Sequence, residues 1–197
     1  MDASSPPAAI YGTKTTGEIL DLLFLPNGES TDCRFVSSSS LTARDTSHQT
    51  LLVWDFRSST LVADHVNNDL CSFTSLCLHP NRIHFAAQST TSEAVVFSAL
   101  APYKWLKPKR SFHSGHDVQG FSVGCSFSST GSLLASGDVN GRVVLYSGAT
   151  RRVLKQYQVY DPSTPCLAVA FHPQWASTLI SGGYDGRMDL FDLMATY

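Results

Sequence analysis

Four stretches of this chain hold residue types that could do chemistry. Asp185 sits between glycines in Ser181–Leu193, SGGYDGRMDLFDL, two residues before the basic Arg187. A carboxylate so placed could act as a general acid or base if a second group worked with it. Gly120–Gly124, GFSVG, has the GxSxG spacing of a nucleophile elbow, with Ser122 as the nucleophile. His113 and His116, and separately Cys71, Cys77 and His79, are of the types that bind zinc. Tyr103–Arg110, YKWLKPKR, gathers four of the chain's 14 basic residues (Lys104, Lys107, Lys109 and Arg110) into the seven positions 104–110, with Trp105 among them and Tyr103 just before. Positive charge with flat stacking faces suits RNA, and a basic cluster also suits a nuclear import address.

The first three lack what their chemistry requires. No acid or base recurs with Asp185, and Asp-Gly between two apolar runs favours the positive-φ corner of a tight hairpin. A nucleophile elbow needs a strand that turns sharply into a helix. Here the stretch runs on as FSVGCSF, alternating as a strand does, and ends in a Ser-Ser-Thr-Gly turn. Neither His/Cys group supplies four ligands at finger-like spacing, so no metal is expected. Of the four, the basic segment keeps the strongest functional reading, against the alternative of a solvated connection whose lysines shield an outer edge strand.

The elements that must position these residues come from a repeat. Ser136–Ser147, SGDVNGRVVLYS, overlays SGGYDGRMDLFD at Ser136/Ser181, Gly137/Gly182, Gly141/Gly186 and Arg142/Arg187, each 45 residues apart, with Asn140 matched to Asp185. A fixed period of this size marks a repeat architecture. Upstream of each lies an alternating run, FSVGCSF and CLAVAF, then a turn and a second apolar run. Two weaker copies precede them. Third-strand aromatics stand at Trp54, Phe97, Tyr146 and Phe191, and first strands close on Phe24, Leu78, Phe127 and Phe171. Thr60–Ala63 and Val153–Tyr157 read as outer fourth strands. Ser37–His48 reads as a polar insert replacing a tight turn. No segment keeps a helical period. Four strands in about 45 residues make one blade of a β-propeller, and the blades are expected near 14–65, 66–112, 113–160 and 161–197, after a non-repeat segment 1–13.

Val53-Trp54-Asp55-Phe56, Gly115-His116, the turns VNGRVVLY and YDGRMDLF, and LHP and FHP after first strands resemble the signatures of the WD-repeat family. More narrowly, residues 14–197 resemble the C-terminal half of WD-repeat proteins connected with pre-mRNA splicing, over LDLLFL, TARDTSHQTLLVWDFR and the long run from APYKWLKPKR into GHDVQGFSVGCSFSSTGSLLASGDVNGRVVLYS. The resemblance implies an all-β propeller of four-stranded antiparallel blades, a partial ring, acting as a scaffold with no catalysis and no cofactor. In the family a His, Ser/Thr, Asp and Trp tetrad ties each blade. No blade here keeps all four: the third offers His116 and Ser136 but has Asn140 and Tyr146 at the other two positions, and the fourth has Asp185; with Trp54, Asp55, Gly141 and Gly186 these are the structural WD-motif residues that the resemblance implies. The fourth lacks an upstream Gly-His pair.

The totals agree with that expectation. Net charge is −2 and 43% of residues are hydrophobic, so neither wholesale disorder nor bulk electrostatic attraction to nucleic acid is expected. Five cysteines with no CxxC, and no signal-peptide pattern or apolar run long enough to span a bilayer, point to an intracellular chain, nuclear rather than cytoplasmic by resemblance. Partners are expected to be other proteins, spliceosomal ones included, with RNA a weaker candidate and no membrane. Closing the ring calls for another chain, for further blades, or for Ile10–Thr15 as a strand beside Leu190–Leu193. The alternatives are a generic WD-repeat adaptor unconnected with splicing, a truncated product without its own function, and a small serine hydrolase using Ser122.

Overall fold

The computed structural model describes residues 9–12, 16–26, 34–40, 49–66, 71–104, 106 and 111–194, all of them in strands, turns or irregular backbone with no helix. Among the described residues fifteen strands form four antiparallel meanders. The first sheet runs β1 (Ile19–Phe24), β2 (Arg34–Ser39), β3 (Gln49–Asp55) and β4 (Thr60–Val66). The second runs β5 (Phe73–Leu78), β6 (His84–Ser89), β7 (Ala94–Ser98) and β8 (Ser111–Phe112). The third holds β9 (Cys125–Phe127), β10 (Leu133–Ser136), β11 (Arg142–Ser147) and β12 (Val153–Gln158). Among the described residues the fourth has three strands, β13 (Cys166–Phe171), β14 (Thr178–Gly183) and β15 (Met188–Asp192). Strand order follows chain order in every sheet, and the first strands lie against one another in the series β1/β5, β5/β9 and β9/β13. Among the described residues this is an arc of propeller blades that does not close on itself.

Each first strand ends at the residue the repeat marked, and each third strand carries its aromatic. The alternation that made those runs legible sends odd and even residues to opposite faces, so each sheet has two apolar faces to cover. Three clusters between successive sheets cover them. Val36, Leu51 and Val53 pack with Leu76, Phe85 and Phe97; Ala86, Val96 and Phe112 pack with Phe127, Leu134 and Tyr146; and Ala135, Val143 and Leu145 pack with Val169, Phe171 and Leu179. Cys71, Cys125 and Cys166 are buried as free thiols within this packing, in keeping with cysteine as a small hydrophobe; Cys33 lies outside the described residues.

Three local expectations are corrected. Ser37, Ser38 and Ser39 are buried strand residues of β2, not part of a polar insert, because Ser37 and Ser38 pair with Leu52 and Leu51 of β3 and all three pair with β1 on the other side; residues 41–48 lie outside the described ones. The strand expected from Phe121 starts only at Cys125, because Gly124 gives its N–H to Leu167 of the next blade at 2.7 Å. Of Ile10–Thr15, residues 10–12 form no strand beside β15, and residues 13–15 lie outside the described ones. Tyr11 instead lies edge-on to Phe35 and Trp54 and donates its hydroxyl to the Phe56 carbonyl at 3.0 Å.

Asn140-Gly141 and Asp185-Gly186 are the expected corners, with φ of 74° at Gly141 and 85° at Gly186. Their surroundings differ. A Cβ on Gly141 would lie 2.6 Å from the Asp161 carbonyl oxygen and 2.8 Å from that of Tyr160, whereas one on Gly186 would meet nothing within 4 Å. Gly186→Ala is therefore expected to cost only the left-handed backbone penalty, about 1–2 kcal/mol. Gly141→Ala adds an overlap with fixed backbone and should cost at least about 3 kcal/mol. Urea denaturation of the two variants checks the difference; equal losses would contradict it.

Candidate functional site

The sequence-marked polar residues converge on the interior of the blades, not on an open cleft. In the first sheet the Trp54 indole donates to Ser37 Oγ at 2.9 Å, both groups buried. Asp55 remains at the surface, where its Oδ1 accepts from the N–H groups of Arg57 and Ser58 at 2.9 and 3.0 Å. These bonds, chiefly the one from Ser58, hold its carboxyl below the usual range. Asp55 thus fixes the β3–β4 turn.

The third blade holds the most extended network. Gln88 of β6 donates its Nε2–H to His116 Nε2 at 2.7 Å and also faces the Ser89 carbonyl at 3.3 Å. With that nitrogen accepting, His116 carries its proton on Nδ1 and gives it to the Tyr146 hydroxyl oxygen at 2.6 Å; the tautomer follows from this pattern of bonds. Gln88, His116 and Tyr146 are all buried, so one chain of hydrogen bonds joins the second sheet, the loop before β9 and the third sheet. Burial pushes the His116 pKa down from 6.5 to about 4, Arg142 adding to the fall while Asp138 and Asp117 oppose it. Burial likewise raises Tyr146 well above the usual phenol range.

Ser136 and Asn140 do not join that chain. Ser136 turns its hydroxyl to the Gly137 carbonyl at 3.0 Å. The buried carboxylate of the third blade belongs to Asp138, two residues before Asn140. Asp138 Oδ1 accepts from Asn140 N–H at 2.6 Å; Oδ2 accepts from Asp117 N–H at 2.9 Å and pairs with Arg142 at 2.6 Å. Its carbonyl takes the Cys166 N–H at 2.9 Å, so this one residue ties the β10–β11 turn to the Gly-His loop and to the fourth sheet. In the fourth sheet Tyr160 takes the place of the missing histidine. It lies 44 residues after His116, the same step as from Phe127 to Phe171, and shares a hydrogen bond of 2.9 Å with Ser181. Asp185 is exposed and its Oδ1 accepts from Arg187 N–H at 3.0 Å, which is the work of a hairpin corner.

The chemical alternatives find no such support. The Ser122 hydroxyl points to the Thr74 carbonyl at 3.5 Å, and the backbone beyond it enters a strand, not a helix. No group of three or more His, Cys, Asp or Glu side chains is arranged for a metal among the described residues. Cys77 Sγ lies 3.3 Å from Cys125 Sγ across the second and third sheets; this contact and burial push the Cys77 thiol well up, away from the reactive thiolate. In the basic segment, Tyr103 is buried and bonds through its hydroxyl to Arg34, so its ring has no free face for a base. Lys104 is exposed; Trp105, Lys107, Lys109 and Arg110 lie outside the described residues.

No protein-family model matches the chain. Over 183 residues, 92% of its length, it is 31% identical to mouse (Mus musculus) WD repeat-containing protein 25. It is 28% identical over 174 residues to pre-mRNA-processing factor 17 of Saccharomyces cerevisiae, and 28% over 159 residues to that of Homo sapiens, covering 88% and 81% of the chain. It spans 33%, 35% and 26% of these relatives, about a third of their length and less than the half that the sequence resemblance implied.

The His116 shift sets a pH dependence. The unfolded chain binds a proton near 6.5 and the folded chain only near 4, so unfolding takes up a proton between those values. This contribution is whole above about pH 6.5 and falls as acid is added down to about pH 4, by at most about 1.4 kcal/mol per pH unit. His116→Gln should flatten the stability profile across that window. Tyr146→Phe, which leaves His116 Nδ1–H without its acceptor, should cost about 1–3 kcal/mol at neutral pH. Chemical denaturation at several pH values measures both, and an unchanged acid slope in His116→Gln would refute the assignment.

Proposed function

We propose that this chain, a WD-repeat chain, is a non-enzymatic scaffold for protein–protein contacts that works in the nucleus, in pre-mRNA processing. The observation that carries the scaffold reading is where the polar residues go. Gln88, His116, Tyr146, Asp138, Tyr160 and Ser181 hold loops to strands inside the blades, and none is presented to a substrate. A propeller so pegged offers rigid loops on a broad surface, and rigid loops bind with less ordering cost. The splicing assignment rests on the likeness to pre-mRNA-processing factor 17 in two organisms. By this reading Lys104, Lys107, Lys109 and Arg110 contact RNA or carry the import address, with Trp105 as the stacking face. Trp54, Asp55, His116, Ser136, Asn140, Gly141, Asp185 and Gly186 are structural residues of the blades.

The test is affinity capture of the tagged chain from nuclear extract, with proteins identified by mass spectrometry and RNA by crosslinking. Pre-mRNA-processing proteins should be enriched over a tag-only control. Changing Lys104, Lys107, Lys109 and Arg110 to Glu should abolish RNA crosslinking or nuclear retention and leave the fold intact. Capture of an unrelated set of proteins would replace the splicing role with that of a general adaptor. A variant that keeps both properties would dismiss the basic segment.

A further inference from the structure

A cavity of about 460 Å³ opens at the outer seam between the second and third sheets. Ser111 of β8, with His113 and Ser114 just after it, lines one side; Thr150, Arg151 and Arg152, the corner that leads into β12, line the other. Three hydroxyls, an imidazole and two guanidiniums thus share one hollow. Among the described residues no carboxylate lines it. Glu93 stands behind Ser111, whose hydroxyl it accepts at 3.3 Å, and the same hydroxyl lies 3.4 Å from His113 Nδ1. The two arginines differ from others in the chain. Arg142 pairs with Asp138 and Arg187 with Asp189, whereas Arg151 and Arg152 meet no carboxylate among the described residues. Arg151 gives one Nη1–H to the Ala149 carbonyl at 3.3 Å. Its backbone φ is 61°, a conformation that glycine takes freely and other residues take at a cost. A long cation is held at this corner against the preference of the backbone.

Two guanidiniums without carboxylates, set beside hydroxyl donors in a hollow, suit a phosphate, which takes charge-assisted and often bidentate bonds. We infer that this cavity binds a phosphomonoester carried on a serine or threonine side chain of a partner protein, with Arg151 and Arg152 pairing with the phosphoryl oxygens and Ser114 and Thr150 donating their hydroxyls to them. Such a group bears close to two negative charges at neutral pH and three strong acceptor oxygens, which matches two cations and two hydroxyls. A nucleic-acid phosphate bears one charge and comes with bases that need stacking faces, and the described lining holds no Phe, Tyr or Trp. The inference rests on the scaffold reading only for the source of the phosphate, a partner protein. The site itself is a property of this chain alone.

Nuclear magnetic resonance of the isotope-labelled 197-residue chain tests it. The probes, at millimolar concentration, are blocked phosphoserine (N-acetylated and amidated), its unphosphorylated form, inorganic phosphate and a short oligouridine RNA. Blocked phosphoserine should shift the amides of Ser114 and of Thr150 to Val153 and reach saturation, and the unphosphorylated form should not. Arg151→Gly and Arg152→Gln should each weaken that binding about tenfold or more, as expected for one lost charge-assisted contact. Arg151→Gly also relieves the left-handed corner, so by circular dichroism it should melt no lower than the unaltered chain, which separates lost binding from lost fold. Arg152 is exposed, and its variant gives an independent reading. The inference is overturned if phosphoserine gives no saturable shift, if either variant binds it unchanged, or if inorganic phosphate enters while phosphoserine is shut out. Oligouridine binding at these amides more tightly than phosphoserine also overturns it and makes the cavity part of an RNA path. A failed capture of pre-mRNA-processing proteins would leave each of these outcomes as it stands.

Discussion

A four-stranded meander has two faces and no means of burying either alone. The whole arrangement follows from that constraint. Alternating apolar residues leave each sheet with a strip on both sides, and only another sheet of the same kind can cover it at interior density. The three clusters between the sheets are the result, with Phe85, Phe112, Leu134, Tyr146 and Leu179 wholly enclosed. Small residues set how closely the blades approach: a Cβ on Gly137 would lie 2.1 Å from the Cys166 carbonyl oxygen in the next blade. Hydrogen bonds then settle the angle. Gly124 reaches Leu167, Ser126 reaches Phe171 and Asp138 reaches Cys166, each from one sheet to its successor.

The polar interior is a second layer of the same solution. A buried donor or acceptor without a partner is costly, and these blades meet that cost by different means in each repeat. The first uses an indole on a serine, the third an amide, an imidazole and a phenol in series, and the fourth a phenol on a serine. The common feature is a buried side-chain hydrogen bond onto a strand of the blade, from a neighbouring strand in the first and from the loop before the first strand in the third and fourth. Residue identity is free to vary as long as donor meets acceptor.

That freedom explains which parts could be read from the sequence. Strand ends and third-strand aromatics were legible because alternation and a fixed period report burial directly, residue by residue. The corner glycines were legible because positive φ leaves few choices of residue. Asp138 was missed because the overlay set Asn140 against Asp185 and drew the search for a carboxylate to that position, while a buried one stood two places upstream. Tyr160 was missed because it shares no letter with His116, and because the two blades differ by one residue between first and second strands, which shifts the step from 45 to 44. That step, counted back from Phe171 to Phe127, was the available signal. Gln88 had none, since it serves the blade that follows its own. The serines at 37–39 were misread for the opposite reason: their polarity suggested solvent, while pairing with β1 on one side and with Leu51 and Leu52 on the other kept the strand buried.

The contacts also decide how the molecule holds together as a whole. Each sheet is a local meander that touches its neighbours along the chain, so stability is a sum of blade terms and nearest-neighbour terms, as in a one-dimensional array. The outer sheets of the described arc are the least supported: β1 and β13 each lean on one neighbouring sheet where β5 and β9 lean on two. Melting of the arc should therefore begin at its ends and travel inward, with the second and third sheets the last to open. A closed circuit has no ends, so each blade's opening would have to break two interfaces at once. The difference between an arc and a ring is thus one of cooperativity as much as of shape.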